Sequence, residues 1–310
     1  MVDKEVKHKV QEFYNQVGWQ QLGDGLYQNA AYEDLRPVSS EYIHRCHLRV
    51  SRHLPPAGRF LLDAGSGPIQ YVEYLEYSRQ YQRRVCVDIS ILALQEARMR
   101  IGGHGLFVVA DVANLPFKAG SFDGAVSLHT IHHLPAEEHP QAYAELARVL
   151  VDDGSAVVVN GWSDPPLMWI FKGLLKLAKK ARQARARHRQ GRQPAAQASV
   201  QAAPGEKTDS PQAAEQQRVR KLLDRQGTFV SKNNAAWLKR QVGQALPQGR
   251  RLEIWCWRSL SVEFLRTFVH PRLGGKGFLR LVYWKEERLP HFFGKVGQYP
   301  LVVITPKTRQ

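Results

Sequence analysis

Short apolar runs alternate with stretches of helical periodicity through the first half of the chain. The runs span four to seven residues, which is typical of strands buried inside a sheet. We predict strands at 59–63, 84–88, 106–109, 122–128 and 156–160. Helices are predicted at 4–16, at 39–54, at 68–78, after Ser90 and from Pro135. This alternation predicts an α/β fold with a parallel sheet and helices on both faces.

The alternation ends after Gly161. Residues 165–180 are predicted as an amphipathic helix with a leucine-rich face. Residues 181–217 are rich in Ala, Gln, Arg and Pro, so we predict a disordered insertion. Regular structure is predicted to resume with a helix at 232–246, a strand at 252–258, a helical section at 262–288 and a last strand at 301–305.

Composition indicates a globular protein of a reducing compartment. The chain has 310 residues, of which 43% are hydrophobic, enough for a sizeable core. Its cysteines, Cys46, Cys86 and Cys256, are widely spaced and odd in number, which argues against a disulfide framework or a cysteine-based zinc site. The N-terminus is charged from its third residue, unlike a signal peptide, and no apolar run is long enough to span a membrane. We therefore expect a soluble, cytoplasmic protein.

The positive charge is concentrated in one segment. The net charge is +16, and residues 172–192 contain nine Lys or Arg and no acid. One interpretation is attachment of 165–192 to the anionic inner face of a membrane, which suits a lipid-like substrate. RNA binding is a weaker interpretation, because the segment lacks interleaved aromatic residues for base stacking. The third is a basic, solvated insertion without a partner.

A glycine-containing loop follows the first strand of the predicted sheet. Gly65 and Gly67 allow backbone angles that side chains forbid and let a ligand approach the main chain. Pro68 suits the first position of a helix, so the loop is predicted to seat an anion at a helix N-terminus. A nicotinamide dinucleotide site needs a third glycine where this chain has Gln70, which argues against that cofactor.

Two acids follow the next two strands. Asp88 ends the second strand, where a carboxylate can accept both hydroxyl groups of a ribose. Asp111 follows the third strand, where an acceptor can bind an adenine amino group. For both residues the alternative is a turn or a helix cap.

Together these motifs resemble the class I S-adenosylmethionine-dependent methyltransferases, especially the small-molecule type related to ubiquinone and menaquinone methyltransferases. LLDAGSGP is similar to their first motif, VCVDIS to the acid after the second strand and VVADVANLPF to the adenine motif. SFDGAVSLHTIHHLP and LARVLVDDGSAVVVN resemble their fourth and fifth strands. The chain departs from the family at Ile69, where a third glycine is usual, and at 152–154, where Pro-Gly-Gly is common.

The resemblance implies a Rossmann-like sheet of seven strands, mostly parallel, with an antiparallel last strand. It implies S-adenosyl-L-methionine as cofactor, with Asp63, Gly65 and Gly67 at its methionine part, Asp88 at its ribose, and Asp111 with Val112 at its adenine. Ala64, Ser66, Ile89 and His129 complete the expected cofactor-binding set, with His129 beside the sulfonium. The expected division is an N-terminal helical cap at 1–58, a cofactor-binding core at 59–164, the basic insertion at 165–230 and the end of the methyltransferase fold at 231–310.

Three histidines follow the fourth strand. His129, His132 and His133 have the spacing of one helical face, but no partner acid or cysteine is evident, so we expect no metal site. One of them can act as a general base, since a neutral imidazole titrates near the working pH. The alternative is that they shape the pocket wall. Tyr14 belongs to an N-terminal segment that either covers the substrate or packs in the core.

The sequence therefore predicts a methyltransferase acting on an oxygen or carbon atom of a small molecule, with lipid-, quinone- and glycan-like acceptors as candidates. One alternative is an RNA methyltransferase anchored by 172–192. The other is a non-catalytic scaffold that binds the cofactor.

Overall fold

A central sheet of seven strands organises the computed structural model, in which residues 2–15, 21–23, 26–27, 33–190 and 229–307 are described. A two-stranded ribbon, β1 (Gln21–Gly23) and β2 (Leu26–Tyr27), precedes it. The sheet consists of β3 (Gly58–Ala64), β4 (Tyr81–Asp88), β5 (Gly105–Val109), β6 (Phe122–Leu128), β7 (Leu150–Val159), β8 (Arg250–Arg258) and β9 (Tyr299–Pro306).

The strand order is β5-β4-β3-β6-β7-β9-β8. Strands β3 to β7 pair in parallel, whereas β9 lies between β7 and β8 and is antiparallel to both. The order reverses between β3 and β6, and ligands of open α/β sheets bind at such a reversal, beyond the carboxyl ends of the strands. The predicted seven-stranded, Rossmann-like sheet with an antiparallel last strand is confirmed.

Eleven α-helical segments are present in the described part of the chain. They are α1 (Val2–Phe13), α2 (Ser40–Leu48), α3 (Glu73–Glu76), α4 (Ile91–Ile101), α5 (His139–Arg148), α6 (Pro166–Gln190), α7 (Ala235–Trp237), α8 (Gly243–Ala245), α9 (Val262–Phe268), α10 (Gly275–Arg288) and α11 (Pro290–Val296). A π-helical turn, Leu238–Val242, joins α7 to α8.

Side-chain caps determine where several helices begin. Ser90 caps α4 as predicted, since its hydroxyl accepts a hydrogen bond from the Ala93 amide at 3.2 Å. Asn234 and Ser261 cap α7 and α9 in the same way. Contacts divide the chain into two units, one comprising Met1–Trp169 with Thr228–Gln310 and the other Ile170–Gly227.

Four predictions of local structure need correction. The helix expected at 68–78 is reduced to α3, because Ile69 adopts a left-handed backbone conformation, φ 55°, that interrupts a helix. Residues 181–190 continue α6 rather than starting a disordered insertion, as their Ala, Arg and Gln content favours a helix. The remainder of that insertion, 191–228, lies outside the described residues.

The strand predicted at 156–160 begins earlier, as β7 at Leu150, and its register against β6 shifts between Leu150 and Ser155. The strand therefore absorbs the extra residues as an irregularity and does not end. The fourth correction is α11, which was not predicted because its Pro-His-Phe-Phe-Gly start lacks helical periodicity.

Alternating residues of the central strands pack into two cores. Leu62, Ala125 and Val158 belong to the core on one face of the sheet. Leu61 and Val126 belong to the core on the other. Burial on both faces explains the apolar runs at 60–62 in β3 and at 156–159 in β7.

One buried ion pair joins the first two strands of the fold. The Arg84 guanidinium on β4 donates to the Asp63 carboxylate at the end of β3, at 2.5 and 3.0 Å, and to the Tyr74 carbonyl at 2.5 Å. Arg84 and Asp63 are 1% and 3% exposed. Such a pair stabilises little overall, but removal of one partner leaves a buried charge. The pair therefore fixes α3 and the start of the glycine loop relative to each other.

We predict that Arg84→Met lowers the free energy of unfolding by about 3–5 kcal/mol, because it leaves the Asp63 carboxylate buried without its cation. Urea denaturation followed by circular dichroism measures this. Arg83→Met on the same strand is the matched control, since Arg83 is exposed, and it should change the value by less than about 0.5 kcal/mol. Equal effects of the two substitutions would contradict the role of the pair.

Candidate functional site

The glycine loop after β3 is held by β4 and by Thr130, which lies in the loop after β6. The amides of Gly65 and Ser66 donate to the Val87 carbonyl at 2.7 and 3.0 Å. Gly65 and Gly67 both have positive φ, 78° and 52°. A side chain at Gly65 would meet Thr130, whose atoms come within 2.2 Å of the position of a Cβ. Both glycines are therefore required, and the loop presents its main chain at the carboxyl edge of the sheet.

Asp88 lies directly beside this loop. Its Oδ2 accepts a hydrogen bond from the Gly67 amide and its Oδ1 accepts one from the Ser90 amide, both at 2.9 Å. Burial raises the pKa of Asp88 to about 6, and the neighbouring Asp63 carboxylate adds to the rise. Each carboxylate oxygen has a second lone pair, which a ribose hydroxyl can use as an acceptor. Asp88 is thus a strong acceptor in need of further donors, as a ribose-binding acid must be.

The N-terminal helix α1 lies against the expected adenine end of the site. Lys7 forms ion pairs of 2.5 Å with Asp111 and with Glu138. Gln11 donates to the Ile89 carbonyl at 2.6 Å, and Ser90 donates to Asn15 at 2.5 Å. Ile89 and Asp111 were predicted to bind the cofactor, so α1 is joined to this edge at the same positions.

The remaining predicted cofactor residues are placed by the strands. Ala64 ends β3 and is fully buried, and Val112 is 5% exposed beneath the loop after β5. The Asp63 carboxylate is occupied by Arg84. Asp63 therefore acts on the loop through its backbone position and its ion pair. The structure brings the loop, Asp88 and Asp111 to one edge of the sheet, as the sequence predicted.

His129 follows β6 with a left-handed backbone, φ 56°, which is uncommon for a residue with a side chain. Its amide donates to the Val159 carbonyl at 2.7 Å. Its ring meets those of Trp257 and Tyr299 edge-on, with centroids 5.2 and 5.8 Å away. Burial lowers the pKa of His129 to about 3, and the Arg258 cation contributes, so its imidazole is neutral at physiological pH.

His133 is committed to structural hydrogen bonds at both ring nitrogens. Its Nδ1 lies 2.8 Å from the Phe229 carbonyl, which only accepts, so Nδ1 carries the proton. Its Nε2 then accepts from the Tyr14 hydroxyl at 2.7 Å. Burial lowers the pKa of His133 to about 4. His132 contacts Asn160 through Nδ1 at 3.0 Å, and burial lowers its pKa as well.

The three histidines do not form a metal site. The rings of His132 and His133 are tilted by 54° with centroids 4.2 Å apart, whereas the His129 ring meets that of Trp257 edge-on. Within the described ranges, no group of three or more His, Cys, Asp or Glu side chains is placed to hold a metal ion. No helix in the same ranges has the length and apolarity to cross a bilayer.

A buried cluster of charged and aromatic side chains surrounds His129, and the sequence did not predict it. We call it the acceptor-side cluster: Glu33, His47, Tyr71, Glu73, Trp257, Arg258 and Tyr299. Arg258 forms an ion pair with Glu33, and its guanidinium carbon lies 4.5 Å from the Tyr299 ring centroid. His47 stacks on Trp257 at 5.4 Å. These residues are scattered over three segments, so no motif signals them, although fully buried charges indicate a functional region.

Comparison with known proteins identifies the central part of the chain. Residues 62–158 match the family model described as "Methyltransferase domain". A probable tRNA methyltransferase 9B from Bos taurus is 31% identical over 131 residues, covering 41% of this chain and 27% of that protein. The tRNA (carboxymethyluridine(34)-5-O)-methyltransferase alkbh8 from Xenopus tropicalis is 27% identical over 143 residues, covering 39% and 21%. The chain thus spans about a quarter of the length of these curated relatives.

Solved structures share the fold over nearly the whole chain. Geranyl diphosphate C-methyltransferase from Streptomyces coelicolor A3(2) has a TM-score of 0.51 at 17% identity and covers 97% of this chain and 98% of its own. That structure contains S-adenosyl-L-homocysteine. Phosphoethanolamine N-methyltransferase 1 from Haemonchus contortus has a TM-score of 0.52 at 12% identity and covers 100% of this chain and 51% of its own.

The raised pKa of Asp88 makes a testable link between pH, stability and cofactor binding. Its folded-state value of about 6 exceeds the value of about 3.9 for an unfolded chain. The folded protein therefore holds an extra proton between about pH 4 and 6, and the stability this contributes is lost as pH rises through 6. Relative to Asp88→Asn, wild type should lose up to about 2 kcal/mol between pH 4 and 8.

Thermal unfolding of both proteins across this pH range checks that loss, with Asp153→Asn at an exposed carboxylate as control. Calorimetry should also show S-adenosylhomocysteine binding weakened at least tenfold by Asp88→Asn at pH 8. Parallel stability curves for wild type and Asp88→Asn would refute the assignment.

The matched range begins within β3 and ends within β7, so it includes the glycine loop, Asp88, Asp111 and His129. The glycine loop has no room for a side chain at Gly65, which suits close approach of the methionine part of S-adenosylmethionine. The Asp88 carboxylate has lone pairs in addition to those that accept from two backbone amides, which suits the ribose hydroxyl groups. Residues 62–158 therefore match a methyltransferase domain.

Proposed function

We propose that the protein transfers a methyl group from S-adenosylmethionine to an oxygen or carbon atom of a small-molecule acceptor. The observation that carries this proposal is the acceptor-side cluster, which lies next to His129. Its members come from residues 33–73 and from β8 and β9, and Glu33, His47 and Arg258 are 5%, 1% and 1% exposed. Buried polar groups of this kind suit a small molecule better than a polymer.

The residues of the chain act mainly by positioning the cofactor and the acceptor and by excluding water from the reacting atoms. When bound, the cofactor would supply an electrophilic methyl group to an electron pair of the acceptor, a lone pair on oxygen or a π pair on carbon, and the sulfur would keep the electrons of the broken bond. The glycine loop, Asp88 and Asp111 hold the cofactor in one orientation at the sheet edge. The rings of Trp257 and Tyr299 exclude water from the side where the acceptor lies. Alignment of two reactants in a dry site accounts for a large share of such rate enhancements.

We assign the role beside the reacting atoms to His129, because His132 and His133 are held by Asn160, Phe229 and Tyr14. A neutral imidazole accepts a proton or a hydrogen bond from the acceptor. With a pKa of about 3, His129 is a weak base, so its contribution is largest for an acceptor that is already acidic.

Incubation of the protein with radiolabelled S-adenosylmethionine and a metabolite and lipid extract tests the proposed activity. A labelled small molecule is the expected product. His129→Asn should lower turnover about 100-fold and change S-adenosylhomocysteine affinity less than threefold, since Asn tolerates the left-handed backbone. His270→Asn is the control away from the site.

The rate between pH 5 and 8 should show no inflection due to His129, because its pKa of about 3 lies below that range. Cofactor binding without turnover on any extract would favour the non-catalytic scaffold.

We further propose that α6 places the protein on an anionic membrane surface. Ile170, Leu174 and Leu177 follow helical spacing and are 70%, 53% and 65% exposed, and Trp169 is 71% exposed. The helix contains eight Lys or Arg and no acid. An exposed apolar stripe flanked by cations is typical of helices that lie in the interface of anionic bilayers. A lipid-like acceptor would be reached from that surface.

The RNA alternative is favoured by the curated relatives, and one experiment separates the two. Ile170→Ser/Leu174→Ser/Leu177→Ser should reduce cosedimentation with phosphatidylglycerol vesicles at least tenfold, because it removes the inserting side chains and retains every cation. Leu281→Ser, at an exposed leucine of α10, is the control. RNA is the partner if the wild-type protein does not cosediment with vesicles but binds transfer RNA with an affinity that falls steeply with salt. In that case the triple substitution should leave the RNA affinity unchanged.

A further inference from the structure

Three buried N–H groups of the acceptor-side cluster have no hydrogen-bond partner within the described part of the chain: His47 Nε2, Trp257 Nε1 and Arg258 Nε. Each of these residues is 1% exposed. An unsatisfied buried donor costs about 1–3 kcal/mol, and folded proteins rarely retain one. Three in one cluster indicate a binding site for a group that supplies hydrogen-bond acceptors.

His47 and Arg258 both lie against the ring of Trp257, which is next to His129. The His47 ring is stacked on the indole with an interplanar angle of 14°. The Arg258 guanidinium carbon is 5.1 Å from the indole centroid, and the His129 ring is 5.2 Å from it. The register of β8 shifts between Cys256 and Arg258, and such irregularities redirect side chains near active sites. Consecutive residues thereby contact the same Tyr299 ring.

Carboxylates fix the two cationic members and leave these N–H groups unused. Glu33 pairs with Arg258 through Nη1, and Glu73 lies 3.3 Å from His47 Nδ1. The other His47 nitrogen is 3.8 Å from Glu33, beyond hydrogen-bond distance. Burial opposes the charged imidazole, but Glu33 and Glu73 outweigh it and raise the pKa of His47. Arg258 is therefore a cationic donor, and the two carboxylates favour the charged form of His47, in which both ring nitrogens donate.

We propose that His47, Trp257 and Arg258 bind a carboxylate or phosphate group on a flat, ring-containing methyl acceptor. This assignment rests on the proposed function and names the acceptor's chemical class. The oxyanion accepts from the three N–H groups, and the hydrogen bond from the Arg258 guanidinium is charge-assisted. The rings of Tyr71, Trp257 and Tyr299 contact the flat body of the acceptor. An ammonium group cannot satisfy these donors, because it has no lone pair.

The indole N–H of Trp257 reports directly on this site. We would record ¹H–¹⁵N spectra of the full chain with S-adenosylhomocysteine bound and assign the Trp257 signal by its loss in Trp257→Phe. Benzoate and phenyl phosphate are the two oxyanion probes, and benzylamine is the cationic control. Benzoate, phenyl phosphate or both should shift the Trp257 signal downfield as the hydrogen bond forms. The probe that binds more tightly shows whether the site prefers a carboxylate or a phosphate.

Calorimetry under the same conditions should show oxyanion affinity reduced about tenfold by Trp257→Phe, which retains an aromatic ring but removes the donor. Trp255→Phe is the matched control on β8, because that indole donates to Glu253 at 3.2 Å. It should leave oxyanion affinity unchanged.

Absence of oxyanion binding to wild type, or an equal response to benzylamine, overturns the inference whether or not Trp257→Phe folds. In that case buried water satisfies the donors. If S-adenosylhomocysteine binds normally in that experiment, the proposed function stands and only the acceptor class is wrong. If S-adenosylhomocysteine does not bind, the proposed function itself fails.

Discussion

The buried ion pair between Asp63 and Arg84 is the interaction on which the cofactor edge depends. It joins the end of β3 to β4, and its third contact, to the Tyr74 carbonyl, fixes the segment that follows the glycine loop. With both ends held, the loop can adopt two left-handed glycines and a left-handed isoleucine. Strain of this kind persists only where the surroundings over-determine the backbone. The charge pair is thus a positioning device more than a source of stability.

Burial has opposite effects on the ionisable groups of the site. It raises the pKa of Asp88 and lowers those of His129, His132 and His133, so the histidines are neutral where a solvent-exposed histidine would titrate. His47 is the exception, because two carboxylates face it. The site therefore combines a carboxyl group of raised pKa beside the glycine loop, neutral histidines after β6, and a buried cluster in which carboxylates face His47 and Arg258.

The sheet could be predicted from the sequence because each central strand is buried on both faces and so reads as an apolar run. The placement of the glycine loop, Asp88 and Asp111 at one edge of the sheet could be predicted because these residues follow the carboxyl ends of parallel strands. The conformation of Ile69 could not be predicted in this way. The residue is not a glycine, yet its backbone is left-handed, because its fully buried side chain holds it in that conformation. No local pattern reveals that outcome.

The acceptor-side cluster could not be predicted for a different reason. Glu33, His47 and Arg258 are polar residues in segments far apart in the chain, and each alone is typical of a surface position. Only the pairing of β8 with β9 and the packing of α2 bring them together. They also lie outside residues 62–158, the range that matches the methyltransferase domain model.

The position of β9 has a consequence for the order in which the molecule is built during synthesis. Chains emerge N-terminus first, so β3 to β7 and the entire glycine loop can form while β8 is still unpaired. Strand β8 has β9 as its partner in the sheet, and β9 is the last strand to leave the ribosome. Trp257 and Arg258 can reach His129 only then. In a nascent chain the glycine loop and Asp88 can thus be in place before β8 and β9 bring Trp257 and Tyr299 against His129.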